Sequence, residues 1–559
     1  MKILPEELKE ILLKSGFVGA IDIDSAIKSA AQIDRPLSDI LIFRGLITDQ
    51  ALTQLIAEFY KVPFISLRNK TIDSAILDLV PENMARSYHM IPFEKDDTGV
   101  KIAMDDPRDF EAIEHARRQT KLKIIPYLAS GSEILTALAQ YKRNIKGAFE
   151  QVVAENIKKA PREGEDLARI AQDLPVIKIL ETLLQYAVAE HASDIHIEAL
   201  EHAVVVRFRL DGVLRDIITL PKPLQKAIVA RIKILSQLKI DEHRIPQDGR
   251  FKFHIDEEII SVRVSVIPSF YDENLALRLL LESARPLPLE ELGITGKNAQ
   301  IITENLKKPY GLILITGPTG SGKSTTLYSI LNILNAPEVN IWTIEDPIEY
   351  SINRVNQSQI NPTAGYTFAS GLRSLLRHDP NIMMVGEIRD SETVEMVIHS
   401  ALTGHLVLST LHTNNAAGAI PRFLDMGAEG FLVASTINVV LAQRLVRKIC
   451  TACIQKIQPT EFELAAFKER FGDRLAKQEF YRGKGCQECG GTGYKGRVGI
   501  YEVLAATPAI RDLTLKRASS DDIEKQALQD GMVSMLEDGL DKISAGITTI
   551  EEVLRAVRE

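Results

Sequence analysis

Gly311-Leu312-Ile313-Leu314-Ile315-Thr316 runs directly into Gly317-Pro318-Thr319-Gly320-Ser321-Gly322-Lys323-Ser324-Thr325, and a helical stretch from Thr326 to Asn335 follows. Strand, glycine-rich loop and helix start are the setting in which Gly, four residues, Gly, Lys and Ser/Thr act as a phosphate cradle. The glycines let main-chain N–H groups converge on phosphate oxygens, and the helix start adds about half a positive charge. Lys323 is expected to reach the β and γ phosphates of ATP, and Ser324 to hold Mg²⁺. An ordinary glycine-rich turn between a strand and a helix is the bland alternative.

A nucleotide site on an open sheet lies at the carboxyl ends of its strands, so neighbouring strands should end in acidic or polar residues. Three do. Asn340–Ile344 leads into Glu345-Asp346-Pro347, Asn381–Val385 into Gly386-Glu387-Ile388-Arg389-Asp390, and His405–Thr410 into Leu411-His412-Thr413-Asn414. Hydrolysis needs one carboxylate to orient water and another acidic group near Mg²⁺. Glu387 is expected to take the first task, with Glu345 or Asp346 assisting; how Glu345 and Glu387 divide the duties stays open. His405 alone reads as a satisfied histidine of the core or surface.

The chain around this loop has 559 residues, enough for three to four folding units of about 150 each. Hydrophobic residues make up 45% and charged residues 25%, which excludes collagen, a coiled-coil rod and bulk disorder. Lys and Arg total 67 against 75 Asp and Glu, and a net charge of −8 argues against a nucleic-acid partner. The start, Met1-Lys2-Ile3-Leu4-Pro5-Glu6-Glu7, carries charges where a signal peptide needs apolar residues, and no run approaches the roughly 20 apolar residues of a membrane helix. A cytoplasmic chain is expected.

Residues 1 to about 60 show apolar residues at helical spacing, and short apolar runs after Val62 predict an α/β subdomain ending near Tyr141. Residues 142–172 are charged and nearly free of aromatics, as in a mobile linker. A second α/β domain is expected over 173–287, with a helix at Val176–Glu190, strands at Ala203–Leu210, Val213–Thr219, Phe251–Ile255, Ile259–Ser265 and Ala276–Leu281, and a hairpin at Asp211-Gly212. The ATPase domain follows over 288–559 and closes in helices from about Ile510 to Arg558.

Taken in order, the phosphate loop, Thr343–Glu349, Met384–Asp390 and Thr403–Asn414 make the chain resemble the secretion ATPase superfamily, most closely the type II secretion and type IV pilus assembly ATPases. They match the family's Walker A, Asp box, Walker B and His box, the last bringing in His412. The likeness continues through Ala442–Lys448, Gly490–Arg497 and Ser193–Glu198. It implies a RecA-like core preceded by a smaller PAS-like α/β domain and a helical plus α/β N-terminal region. It also implies a homo-hexameric motor on the cytoplasmic side of the inner membrane, which turns an integral-membrane platform protein. In the family the second domain supplies arginines to the phosphates, and Arg263 and Arg278 fall on the matching positions. Guanidinium groups from a mobile domain neutralise transition-state charge and link hydrolysis to movement. Phe270-Tyr271-Asp272-Glu273-Asn274 stands where the family has Gly-Glu and a basic residue, so the hairpin near Arg278 is expected to differ. Arg373 and Arg377 match further family arginines at a subunit or nucleotide interface.

All four cysteines fall in two pairs, Cys450-Thr451-Ala452-Cys453 and Cys486-Gln487-Glu488-Cys489. Two such knuckles supply four thiolates to Zn²⁺; a redox pair and four unrelated buried thiols are the alternatives. The resemblance attaches this metal to assembly and secretion members and not to retraction motors. Residues 35–60 look like a regulatory helical module that in relatives docks to a membrane-linked partner and sometimes binds cyclic di-GMP. Arg35, Leu41 and Gly45 fit that pattern loosely, and plain protein docking is the preferred reading. A nucleic-acid translocase on a RecA-like core and a nucleotide-binding subunit without turnover compete with the motor, and a weak tilt towards pilus assembly comes from the N-terminal region.

Overall fold

The structure, a computed structural model, describes residues 5–15, 37–43, 46–68, 70, 72–131, 174–255, 258–281, 286–460 and 478–558, with scattered positions between. The charged stretch 142–172 lies almost wholly outside them, as do Arg35 and Gly45. Contacts group residues 1–160 with 177–190 in one unit, and 161–176 with 191–559 in another.

In the first unit the helices Pro5–Ser15, Leu37–Phe43 and Asp49–Tyr60 bury Leu8, Leu12, Leu41 and Leu52 in one small core. The helical periodicity of this region is realised. Beyond it, β1 (Met90–Asp96), β2 (Gly99–Met104) and β3 (Ile124–Leu128) form a sheet in which β2 pairs antiparallel with β1 and parallel with β3. The run at Val62–Ile65 contributes only an isolated bridge, Phe64 to Leu128. Pro63, without an N–H, suits such an edge better than a full ladder.

The second unit holds two sheets that matter for the site. One has six antiparallel strands, β4 (Asp194–Ala199), β5 (Ala203–Leu210), β6 (Val213–Pro221), β7 (Gln247–Ile255), β8 (Glu258–Pro268) and β9 (Glu273–Leu281), in the order β6-β5-β4-β9-β8-β7. Alternation decides its faces: Ile195, Ile197, Val206, Phe208, Val262, Val264, Leu275 and Leu277 are buried, while their neighbours point the other way. The helix Pro223–Leu235 packs on β6 and β7 and was not read from the sequence, although Pro223 at its first position was an available start signal.

The other sheet has seven strands, with β10 (Gly311–Thr316), β11 (Ile341–Glu345), β12 (Val355–Gln359), β13 (Ile382–Val385), β14 (Leu406–Leu411), β15 (Ile437–Ile449) and, after a ribbon of β16 (Ile454–Ile457) and β17 (Phe480–Gly483), β18 (Tyr494–Ala505). Its order is β12-β11-β13-β14-β10-β15-β18, parallel throughout except where β15 meets β18. Every residue of β10, β13 and β14 is buried, as a parallel sheet covered on both faces requires. β11, β13, β14 and β10 stand side by side, so the three polar tips and the glycine-rich loop gather on one edge.

Candidate nucleotide site

The loop Gly317–Gly322 leads into the helix Lys323–Leu334. Gly317 has φ of +149°, and a Cβ there would lie 2.6 Å from the Gln443 carbonyl oxygen, so only glycine lets β10 turn so close to β15. Pro318, Thr319 and Gly320 form the exposed crest, Ser321 is buried beneath it, and Ser324 and Thr325 stand exposed on the first helical turn. Lys323 Nζ donates to the Gly317 and Pro318 carbonyl oxygens at 2.8 and 3.0 Å, folding its ammonium over the loop. Burial pulls its pKa down to about 8 against the opposing pull of Glu387.

Glu387 sits just beyond β13, and the backbone fixes its place. Gly386 N donates to Ile344 O at 2.8 Å on one side, and Ile388 N to Thr410 O at 3.0 Å on the other. The Thr410 and Ser409 hydroxyls bind the Gly386 and Val385 carbonyls from β14. The Glu387 carboxylate pairs with Arg389 and lies 3.4 Å from His412 Nε2. Burial, followed by the Lys323 charge, holds His412 below its ordinary range. Glu387, His412, Lys323 and Arg389 therefore form one electrostatic cluster beside the phosphate loop.

Glu345 is in a different situation. It is 3% exposed, and its carboxylate accepts from Thr343 Oγ1 at 2.6 Å, from Gln357 Nε2 at 3.0 Å and from the Tyr328 hydroxyl. Burial raises its pKa while these donors oppose it. Both oxygens are engaged within the protein, whereas Asp346, next in the chain, is exposed at the tip.

Arg263 on β8 and Arg278 on β9 are directly opposite each other in the ladder. Their charges both reach Glu349, in the turn after β11, whose carboxyl is raised by burial and lowered by Arg278 and then Arg263. The arginine-bearing face of the antiparallel sheet is thus felt electrostatically at the turn after β11. Arg278 itself is tied by Nε to Asp194 Oδ1 at 2.9 Å. Arg373 pairs with Glu392 at 2.6 Å, and Arg377 binds the Arg373 carbonyl and Ser374 hydroxyl.

Several contributors were not assigned from the sequence. Gln443, 1% exposed, donates from Nε2 to Ser321 O at 2.6 Å and clamps the phosphate loop to β15. Arg444, 6% exposed, donates to Asn414 O at 3.0 Å. Thr316 and Thr413 hydroxyls meet at 2.7 Å, joining the loop strand to the His-box turn. The available signal was a Gln-Arg pair inside the apolar run Ile437–Val446, since polar groups buried in a strand need partners.

The four cysteines converge. Their sulfurs lie within 4.8 Å of one another, with 3.8 Å from Cys450 to Cys486, 3.9 Å from Cys453 to Cys489 and 3.7 Å from Cys486 to Cys489. A tetrahedral ion with Zn–S bonds of about 2.3 Å sets sulfurs about 3.8 Å apart, so the residues fit Zn²⁺. Backbone N–H groups of Cys486 and Gly493 donate to Cys489 Sγ at 3.1 and 3.2 Å, as expected for a thiolate ligand. The element also touches the β5–β6 hairpin, where Gly496 N donates to Asp211 Oδ2 at 3.0 Å.

Comparison with known proteins agrees with this geometry. Residues 169–555 match the family described as Type II/IV secretion system protein, and residues 60–148 match the MshEN domain. The chain is 37% identical over 554 residues to the Type IV pilus assembly ATPase PilB of Myxococcus xanthus, covering 98% of each chain. It is 40% identical over 490 residues to the Type II secretion system ATPase E of Vibrio cholerae, covering 86% of this chain and 97% of that one. The ATPase DotB of Legionella pneumophila shares the fold, with a TM-score of 0.51 at 22% identity over 68% of this chain and 95% of that one. The family match over residues 169–555 and the likeness along 98% of both chains to a pilus assembly ATPase make this chain an ATP-hydrolysing member of the Type II/IV secretion system protein family.

Proposed function

We propose that this chain is the motor of type IV pilus assembly, a homo-hexamer peripheral to the cytoplasmic face of the inner membrane that works on a platform protein there. The observation that carries pilus assembly is likeness to a pilus assembly ATPase along 98% of both chains, N-terminal region included. Type II secretion is the second reading, favoured by the 40% identity to a secretion ATPase. Among the described residues no helix is long and apolar enough to cross a membrane, which suits a peripheral motor. A nucleic-acid translocase gains nothing from a net charge of −8.

The main-chain N–H groups of Thr319–Gly322 and Lys323 hold the ATP phosphates, with Thr325 on the same turn. Ser324 and Asp346 at the strand tip would hold Mg²⁺, which would supply neutralisation of phosphate charge there. Glu387 orients the attacking water, and His412 holds the Glu387 carboxylate from one side. Glu345 belongs to the scaffold, because its oxygens already accept from Thr343, Gln357 and Tyr328. Arg263 and Arg278 neutralise charge on the γ-phosphate and carry its loss back to their sheet as movement.

The chain divides into a docking region (1–141), a linker (142–172), the arginine-supplying domain (173–287) and the ATPase domain (288–559). Cys450, Cys453, Cys486 and Cys489 hold Zn²⁺ between β15 and β18. In the docking region Leu41 is fully buried among helices and serves packing, and docking of a membrane-linked protein is the preferred reading. Cyclic di-GMP is the second reading there, favoured by the MshEN match.

Turnover per subunit, measured against protein concentration for wild type and Arg263→Ala, tests the motor. A rate that rises steeply with concentration and collapses in the variant is expected. A flat rate unaffected by the variant would remove both the ring and the arginine contact.

A further inference from the structure

The pairing of the six-stranded sheet sets charged residues in a single row. Arg209 is opposite Asp194, Asp194 opposite Arg278, Arg278 opposite Arg263, and Arg263 opposite Arg250. Residues directly opposite in a ladder share a face, and like charges so placed repel. Four arginines thus share that row with one carboxylate, and Asp194 stands between two of them.

Asp194 is well placed to act on its neighbours. Its side chain is 12% exposed against 53% for Arg278, so the anion is fixed in the sheet while the cation reaches out. Oδ1 accepts from Arg278 Nε at 2.9 Å, and Oδ2 accepts from the Ser193 hydroxyl at 2.8 Å and lies 3.4 Å from Arg209 Nε. Arg209 is further held by its Nη1 bond to Gly212 O at 3.1 Å. The contact to Arg278 is made through Nε, which leaves its two terminal amines available to other partners. Those amines are the pair that fits two phosphate oxygens at once. Arg263 on the far side repels Arg278 toward β4, so attraction and repulsion set the same orientation.

We infer that Asp194 is a positioning residue that holds Arg278 by Nε with its terminal amines presented to the nucleotide γ-phosphate. The inference rests on the reading above that Arg278 meets that phosphate. Without the carboxylate, Arg278 stands between the positive charges of Arg209 and Arg263 and loses the bond that fixes its approach. Asp194 acts through Arg278, to which it is bonded.

The test is a double-mutant cycle in the full-length protein, with Asp194→Asn, Arg278→Ala and the pair. ATP turnover, ATP affinity and the thermal unfolding midpoint are read for each. Asp194→Asn is expected to lower kcat by roughly 10- to 100-fold, the range for a misplaced contact, with ATP affinity within about twofold of wild type. In the Arg278→Ala background the same change is expected to cost nothing further. Full additivity of the two changes, or an Asp194→Asn enzyme with wild-type kcat while Arg278→Ala has lost turnover, overturns the positioning role and leaves the arginine contact standing. Wild-type kcat in Arg278→Ala overturns both readings together. If Asp194→Asn melts early, Asp194→Glu serves, because it keeps the charge but moves it by one methylene. An intermediate kcat at an unchanged midpoint supports the inference, and a wild-type kcat overturns it.

Discussion

The two sheets of the second unit present their charged groups by opposite means. In the parallel sheet the groups are fixed before any ligand arrives: β10 is wholly buried, Gln443 clamps Ser321, and Glu387 is strung between β11 and β14 by main-chain bonds. In the antiparallel sheet Arg278 is half exposed and Arg263 exposed, and their orientation depends on charges along one row. A parallel sheet buried on both faces holds its strand tips rigidly, whereas a sheet with one open face leaves long side chains free to reorient. The first arrangement suits binding and water positioning. The second suits a contact that can form and break.

The strongest way to break this contrast is Glu387→Gln, which leaves the cradle intact. Turnover is expected to fall by roughly 100- to 10,000-fold while ATP affinity stays near wild type, as read by phosphate release and by binding of a fluorescent nucleotide. Surviving turnover would mean that the rigid sheet does not hold the group that orients water.

Removing the metal sharpens the contrast at the place where the two sheets touch through Asp211 and Gly496. Wild type is expected to carry one zinc per chain, and Cys489→Ser to carry none. Chelation should open 450–494 to limited proteolysis, because a four-thiolate site without its ion loses the cross-link that closes the β16–β17 ribbon. ATP affinity is expected to shift by less than about twofold, since the cradle is held from β10 and Gln443. A protease pattern unchanged by chelation would deny the element a structural ion.

The smallest effect concerns Lys323. Burial lowers it to about 8, so its ammonium is present below that pH and lost as pH rises through it. Phosphate binding favours the charged form, so ATP affinity should be level below about pH 7 and fall by up to about tenfold per unit above about pH 8. Calorimetry above about pH 8 in buffers of different ionisation enthalpy should show a proton taken up on binding. Affinity that is flat to about pH 9 would mean that the lysine is more solvated than its place over the loop implies.

Much of the nucleotide site was legible because its chemistry is local. Gly311 to Thr325 carry strand, turn and helix start within fifteen residues, and the tips Glu345-Asp346, Glu387 and His412 announce themselves by ending apolar runs. The cysteine pairs were equally plain, since two knuckles at matching spacing have few other uses. Hidden from the sequence were the relations between distant segments. Glu345 and Glu387 are both acidic strand ends, yet only the tertiary structure shows that Glu345 is buried with its oxygens bonded to Tyr328, Thr343 and Gln357. Gln443 looks like a polar interruption until β15 is laid beside β10.

The sequence alone thus determined that a phosphate loop closes a buried parallel strand, that three neighbouring tips carry polar groups, and that four thiols come in pairs. Each follows from residues within one turn or one strand of each other, where backbone geometry leaves few choices. Only the tertiary structure decided which carboxylate faces the loop, which polar residue clamps it, and that Arg209, Asp194, Arg278, Arg263 and Arg250 form one row. Those outcomes depend on strand order and register, which are set by the summed burial of whole faces and not by any residue's own type.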